Sequence, residues 1–362
     1  MINSPRTKSI DALRGLVVIL MALDHTQFFW FSFGLPNDGL SGYIPQYLNS
    51  FHQLTRFLSH MCAPTFLFLA GMMMAWTLKK RNLFLRGLTL ILLQFTLENM
   101  AWWPMDYLAS GYAYFGILSC LGFSMCIFSM LSFLKPYWFL AFGIAILVLP
   151  QFSSLAVPNA HPLLQSLAII LYAPTLNHLY PMTGLFTLIP WMGFMGLGFF
   201  LGSKTQNRDL SQYKIIFCLA SLALITAAFI LRYLNGFGNF LHWYGTPFGS
   251  DFFILSKYPP SLVFILFTLG IMFLVWSVFI YYESKLNLRI FHPLITFGQT
   301  SLFFYVVHLY VYGSVAYYYG HNVQLNLAQT WIVWFVGLIV MYFLCLGYMI
   351  SKVCIHSETV HI

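Results

Sequence analysis

The sequence predicts an all-α integral membrane protein: one polytopic domain over residues 1–362, a bundle of about ten transmembrane helices with both termini in the cytoplasm. Three observations carry this. Of the 362 residues 60% are hydrophobic and only 7% charged, against about 25% charged in a soluble domain; mean hydropathy is +0.77. The apolar residues fall into runs of about 20, the length at which a helix crosses a bilayer. Lysine and arginine alternate between the two sides of those runs. Seventeen basic and nine acidic residues are too few to cover a water-facing surface. That excludes a soluble enzyme, a disordered chain and, despite a pI of about 9.1, a nucleic-acid binder.

Taken in order, the runs lie near 9–31, 57–78, 83–103, 111–133, 137–155, 183–203, 213–232, 259–282, 292–314 and 328–350. The stretch 163–172 is too short to span and is bounded by Pro162 and Pro174, so it reads as an interfacial or re-entrant piece. Arg6 and Lys8 precede the first run as they would in a secretory signal. That run holds Asp11, Arg14, Asp24 and His25 and no small-residue cleavage site, so it reads as a retained span. Gly193, Gly196, Gly198 and Gly202 in the sixth run suit close helix packing. Six cysteines without a C-x-x-C pair read as small buried hydrophobes, and no metal site is expected.

Orientation follows from counting, because basic residues near span ends favour the cytoplasm. With the N-terminus inside, Arg6, Lys8, Lys79, Lys80, Arg81, Arg86, Lys135, Lys204, Arg208, Lys214, Lys285, Arg289 and Lys352 fall on the inner side. Arg56, Arg232 and Lys257 fall on the outer side, and Arg14 lies within the first span.

Ionisable groups inside a span are costly, about 2.5–3.5 kcal/mol each on insertion scales, and mark sites where they persist. Arg14 and His25 are eleven residues apart. At about 100° per residue they share a helix face, separated by about 16 Å along the axis. Asp11 falls on nearly the same face, within reach of the Arg14 guanidinium. Helix directions bring further polar groups to the outer half, so one cavity is expected to collect Asp24, His25, His60, Glu98, Asn99 and His308. A histidine oriented by a carboxylate is the usual base for taking a proton from a hydroxyl or amine. The bland alternative makes Arg14 an interfacial anchor and His60 and His308 structural hydrogen-bonders.

The opening SIDALRGLVVILMALDH (9–25) resembles the signature of bacterial membrane proteins related to heparan-α-glucosaminide N-acetyltransferase. So do RFLSHMCAPTFLFLAG (56–71), LIPWMGFMGLGFFLG (188–202), KYPPSLVFILFTLG (257–270) and GQTSLFFYVVHLY (298–310). The Arg14-to-His25 spacing is similar to the arginine–histidine pair of bacterial acyltransferases that place O-acetyl groups on polysaccharides. The resemblance implies essential roles for Arg14 and His25, with Asp24, His60 and His308 lining the site. It departs at position 25, where the heparan enzyme has asparagine and an essential histidine further on. His52 is the nearest counterpart here, which leaves His25 and His52 as alternatives for the base.

The expected function is therefore transfer of an acyl group, acetyl first, from cytoplasmic acyl-CoA to a hydroxyl or amine of an extracytoplasmic acceptor, a cell-envelope sugar. Arg14, Lys79, Lys80 and Arg81 suit the phosphates of the nucleotide end. His25 is the base, Asp24 or Glu98 its orienting partner, and Asn99 or His60 the donor to the oxyanion. Aromatic residues in the 233–257 loop offer faces for a sugar. Expected partners are membrane lipid, acyl-CoA and the carbohydrate-type acceptor, without nucleic acid; a homo-oligomer is admitted, and the location is the inner membrane. The rival reading is a proton-coupled secondary transporter that uses the same buried charges as a path.

Overall fold

In lipid every backbone N–H and C=O must find its partner within the chain, and the helix is the simplest solution for an apolar run. The computed structural model describes residues 7–31, 38–77, 80–102, 113–152, 156–177, 180, 182–318 and 325–359. The chain opens with α1 (Lys8–Trp30), then α2 (Ser50–Ser59) and α3 (Cys62–Trp76), which run on as one segment over Ser50–Trp76. Next is α4 (Lys80–Leu93), prolonged by a π-helical turn at Gln94–Glu98 and a last turn at Asn99–Trp102. There follow α5 (Ile117–Met130), α6 (Pro136–Val148), α7 (Pro162–Leu171), α8 (Leu188–Thr205), α9 (Lys214–Leu234) and α10 (Leu262–Tyr281). The chain continues through α11 (His292–Gln299) and α12 (Ser301–Leu309), the latter prolonged by a second π-helical turn at Tyr310–Ser314, and ends in α13 (Leu327–Thr359). Local signals explain several starts. Asn49 caps α2 by accepting from the His52 N–H, Ser261 caps α10, and proline opens α6, α7 and α11.

Among the described residues six helical segments are long and apolar enough to cross a membrane, seven if the bent pair α11–α12 counts as one. The protein is a mostly helical, multi-pass membrane protein; against the about ten spans expected, the described residues show six or seven that pass on length and apolarity, the other runs being shorter or broken. The runs at 111–133 and 183–203 each surrender residues to a short strand. Strand β1 (Ala113–Phe115) pairs in parallel with β2 (Met182–Gly184), in the register Ala113↔Met182 and Phe115↔Gly184. The pairing satisfies backbone groups of segments buried among helices, and it leaves α5 with fourteen residues. The run at 292–314 bends by 80° between α11 and α12. Hydropathy counts apolar residues and is blind to such a break.

Glycine sets the closest contacts. A methyl group on Gly198 would lie 1.8 Å from the Phe68 carbonyl oxygen of α3, and one on Gly193 would lie 2.8 Å from the Gly143 oxygen of α6. The glycines of α8 therefore seat it between those two helices, as their spacing suggests. At α1 the same device works twice: a methyl on Gly15 would meet the Leu294 oxygen at 1.9 Å, and one on Gly298 the Asp11 oxygen at 1.8 Å. Helix α1 lies centrally, packed against α2, α3, α10, α11, α12 and α13. Helices α9 and α13 turn Ile215, Leu219, Leu222, Ile332, Phe335 and Phe343 outward, the surface expected against lipid. The short α7 exposes Leu163, Leu164, Leu167 and Leu171.

Candidate active site

His25 stands in the last two turns of α1 and meets His308 of α12, Nδ1 to Nε2, at 2.7 Å. The tautomers follow from one further bond. His308 Nδ1 lies 3.0 Å from the Phe304 carbonyl oxygen, which can only accept, so that nitrogen carries the hydrogen. With both rings neutral, His308 Nε2 then offers a lone pair and His25 Nδ1 donates to it. His25 Nε2 is left as the basic nitrogen. The two rings stack with planes 15° apart, and the Trp102 ring meets His25 edge-on at 5.0 Å between centroids.

Asp24 points elsewhere, because neighbours on a helix diverge by about 100°. It is ion-paired with Nη1 of Arg56, and its other oxygen accepts from the Ser59 hydroxyl at 3.0 Å. Of the two partners expected to orient His25, Asp24 or Glu98, Asp24 is instead paired with the guanidinium, and it is His308 that meets the His25 ring. Arg56 also binds Asp38 through Nε, at 2.9 Å, and through Nη2. Arg56 is 4% exposed and Asp38 fully buried, so this Asp–Arg–Asp chain is a desolvated network. Burial and the adjacent Asp38 carboxylate push the Tyr47 hydroxyl far above its ordinary pKa. His60 extends the chain, its Nε2 3.9 Å from Asp38 Oδ2, while its Nδ1 has no hydrogen-bond partner among the described residues.

Glu98 and Asn99 lie where the π-helical turn of α4 ends. Glu98 Oε1 accepts from the Tyr305 hydroxyl at 2.7 Å and from the Trp102 indole N–H at 3.2 Å, whereas Oε2 is buried without a hydrogen bond among the described residues. Glu98 thus reaches the histidine pair through Trp102 and not by direct contact. Asn99 is engaged with the Gln94 side chain at 3.1 Å, in a buried amide cluster beside Tyr114. The second π-helical turn begins two residues after His308, and its Tyr310 hydroxyl donates to the Leu97 oxygen at 2.6 Å. Both irregular turns therefore flank the site, a frequent position for them. His52, the alternative base, is turned toward the Phe31 and Tyr47 rings, and its Nδ1 accepts from the Leu48 N–H at 3.3 Å.

Arg14 is half-buried, eleven residues along α1 from His25, and Arg81 is exposed. Lys79 lies outside the described residues. Lys80 begins α4, with its side chain also outside them. The three basic residues expected on the outer side, Arg56, Arg232 and Lys257, are all buried. Arg232 donates to the carbonyls of Asp251, Phe252 and Ile254 and to Asn239 Oδ1, tying the following loop to α9. In that loop Asp251 is held below the ordinary carboxylate pKa by the backbone N–H of Gly245 and then of Tyr244. Of the loop aromatics, Tyr233, Phe237, Tyr244 and Phe248 are exposed and Phe252 is buried. Among the described residues no group of three or more His, Cys, Asp or Glu side chains is placed to hold a metal ion.

Reading α1 alone missed Arg56, Asp38, Tyr305 and Trp102. A signal existed in the pair Asp24 and Asp38, with Arg56 the next cation downstream in the sequence.

Two family models match the chain. The catalytic-domain model of heparan-alpha-glucosaminide N-acetyltransferase covers residues 6–217, the region that supplies Arg14, His25, Arg56, His60 and Glu98. The OpgC protein model covers residues 112–352, which include Lys257 and His308. No curated protein matches. Each model spans more than half of the 362 residues, and together they embrace both halves of the histidine pair: the chain belongs to the membrane acyltransferase family related to heparan-α-glucosaminide N-acetyltransferase.

Proposed function

We propose that this protein moves an acyl group, acetyl first, from cytoplasmic acyl-CoA to a hydroxyl or amine of a carbohydrate-type acceptor on the far side of the inner membrane. Both termini face the cytoplasm, and residues 1–362 act as one polytopic unit. The observation that carries the reading is the His25–His308 pair at 2.7 Å, set about 16 Å along α1 from Arg14. The nucleotide end of acyl-CoA is held by Arg14 with Lys79, Lys80 and Arg81 at the cytoplasmic mouth. Its flexible pantetheine arm spans the distance to the histidines.

His25 Nε2 takes the acceptor proton as the new bond forms at the thioester carbonyl carbon. His308 keeps the imidazole in its basic tautomer, the part an aspartate plays in hydrolase triads. Asp24 acts indirectly, through its grip on Arg56 and hence on α2. His60, with an uncommitted ring nitrogen, suits the oxyanion better than Asn99, which is committed to Gln94. The exposed ring of Phe248 or Tyr244 offers a sugar a stacking face.

The test is thioester turnover. Purified protein should hydrolyse or transfer the label of radiolabelled acetyl-CoA, and His25→Ala should abolish it. Protein that neither binds CoA nor consumes acetyl-CoA across a glycan panel contradicts the reading. The rival, proton-coupled transport, draws support from the unpartnered buried Oε2 of Glu98. It requires solute uptake by proteoliposomes in the absence of acyl-CoA.

A further inference from the structure

Among the described residues, Lys257 is a buried basic residue near the site that the scheme above leaves unused. It lies just before α10, 5% exposed, on a strap fixed by two backbone bonds: the Lys257 and Tyr258 N–H groups donate to the Asp38 carbonyl oxygen at 2.9 and 3.0 Å. Its ammonium lies 5.2 Å from the centre of the Tyr258 ring and 5.9 Å from that of Phe186. Its strap is thereby joined to the site: Asp38 is bonded to Arg56, and Arg56 to Asp24, the residue next to His25 in α1. Among the described residues no carboxylate or carbonyl forms an ion pair or hydrogen bond with the Lys257 ammonium.

Burying an ammonium is costly unless its N–H groups are matched. Net charge does not explain the position away. Asp24, Asp38, Arg56 and Lys257 sum to zero, but both carboxylates are already bonded to Arg56, so the three N–H donors of Lys257 stay unassigned. Beside it His60 keeps Nδ1 unmatched. Two unmatched polar groups gathered about Asp38, His60 by its ring and Lys257 by its strap, describe a receptor for an oxygen that carries charge only transiently.

Resting on the acyltransferase reading, we infer that Lys257, with His60, receives the thioester carbonyl oxygen as it becomes an oxyanion, making Lys257 a catalytic residue of the transfer. The acceptor oxygen bonds to the carbonyl carbon and its proton passes to His25 Nε2. The carbonyl π pair moves onto the oxygen, where the Lys257 ammonium meets it. On collapse that pair re-forms the carbonyl, the C–S bond breaks, and the CoA thiolate takes the proton from His25. Donors aimed at developing charge in a dry site favour the transition state over the ground state.

The experiment follows acetyl-CoA hydrolysis, water serving as acceptor, by the full-length protein in detergent. Lys257→Met should lower kcat by about a hundredfold or more with KM for acetyl-CoA little changed, and Lys257→Arg should retain part of the rate. Should Lys257→Met fold poorly, the charge-balanced double variant Lys257→Met with Asp38→Asn decides. Restored folding without restored turnover supports the inference. Restored turnover shows that Lys257 was only a counter-charge and overturns it, as does a Lys257→Met enzyme with unchanged kcat. Wild-type protein without any thioester turnover defeats the parent reading instead.

Discussion

His25 and His308 stand 283 residues apart in sequence, yet their ring nitrogens lie 2.7 Å from each other. The Phe304 carbonyl holds the outer nitrogen of His308. A single backbone oxygen of α12 thus dictates which nitrogen of a histidine on α1 is basic. That relay is open to test.

His308→Gln leaves His25 without a partner that fixes its tautomer. We expect kcat for acetyl-CoA turnover to fall by about 10²–10⁴-fold, the usual range for a general base, with KM little affected. His25→Ala and the double variant should lie at nearly the same floor, because residues acting as one unit are not additive. Steady-state kinetics on the three proteins checks this.

Arg56 should behave as a buried cation between two carboxylates. Arg56→Met strands Asp24 and Asp38, and breaking a buried pair in this way costs about 3–5 kcal/mol. The triple variant with Asp24→Asn and Asp38→Asn should recover much of the loss. Thermal unfolding followed by intrinsic tryptophan fluorescence in detergent separates the two.

Glu98 accepts from two donors through one oxygen. Glu98→Gln keeps a carbonyl for both and should leave the unfolding midpoint almost unmoved. Glu98→Ala orphans the Tyr305 hydroxyl and the Trp102 indole, at about 1–3 kcal/mol for each buried donor. Trp102 would also lose its hold against His25, so turnover should drop with stability.

Helix contact at glycine gives a paired comparison. Gly298→Ala places a methyl against the Asp11 oxygen at 1.8 Å and must push α1 from α11, whereas Gly347→Ala meets nothing within 4 Å. The first should lower folded yield, by about 1–3 kcal/mol of overpacking or more; the second should be silent. Size-exclusion recovery after heating distinguishes them.

Much of the fold was legible because hydropathy reports burial in lipid directly. The first, second, third, seventh, eighth and tenth runs each appear as a helix long enough to cross. Strand pairing between 113–115 and 182–184, and the bend after Gln299, were not legible, since both depend on contacts between distant segments. The site divides the same way. Helical periodicity places Arg14 and His25 on one face, but no periodicity within a helix says that Asp24 faces Arg56 or that His25 faces His308. Residues 24 and 25 look like an acid–base pair on paper and are directed apart by the turn of the helix.

The adjacency of Asp24 and His25 has a mechanical result. One is fastened to α2 through Arg56, the other to α12, along directions about 100° apart. A rod pinned at two such bearings can neither spin about its long axis nor slip by one residue without releasing both pins together. Whatever rearrangement admits and discharges substrate must therefore be made by neighbouring helices, moving around a stationary axle.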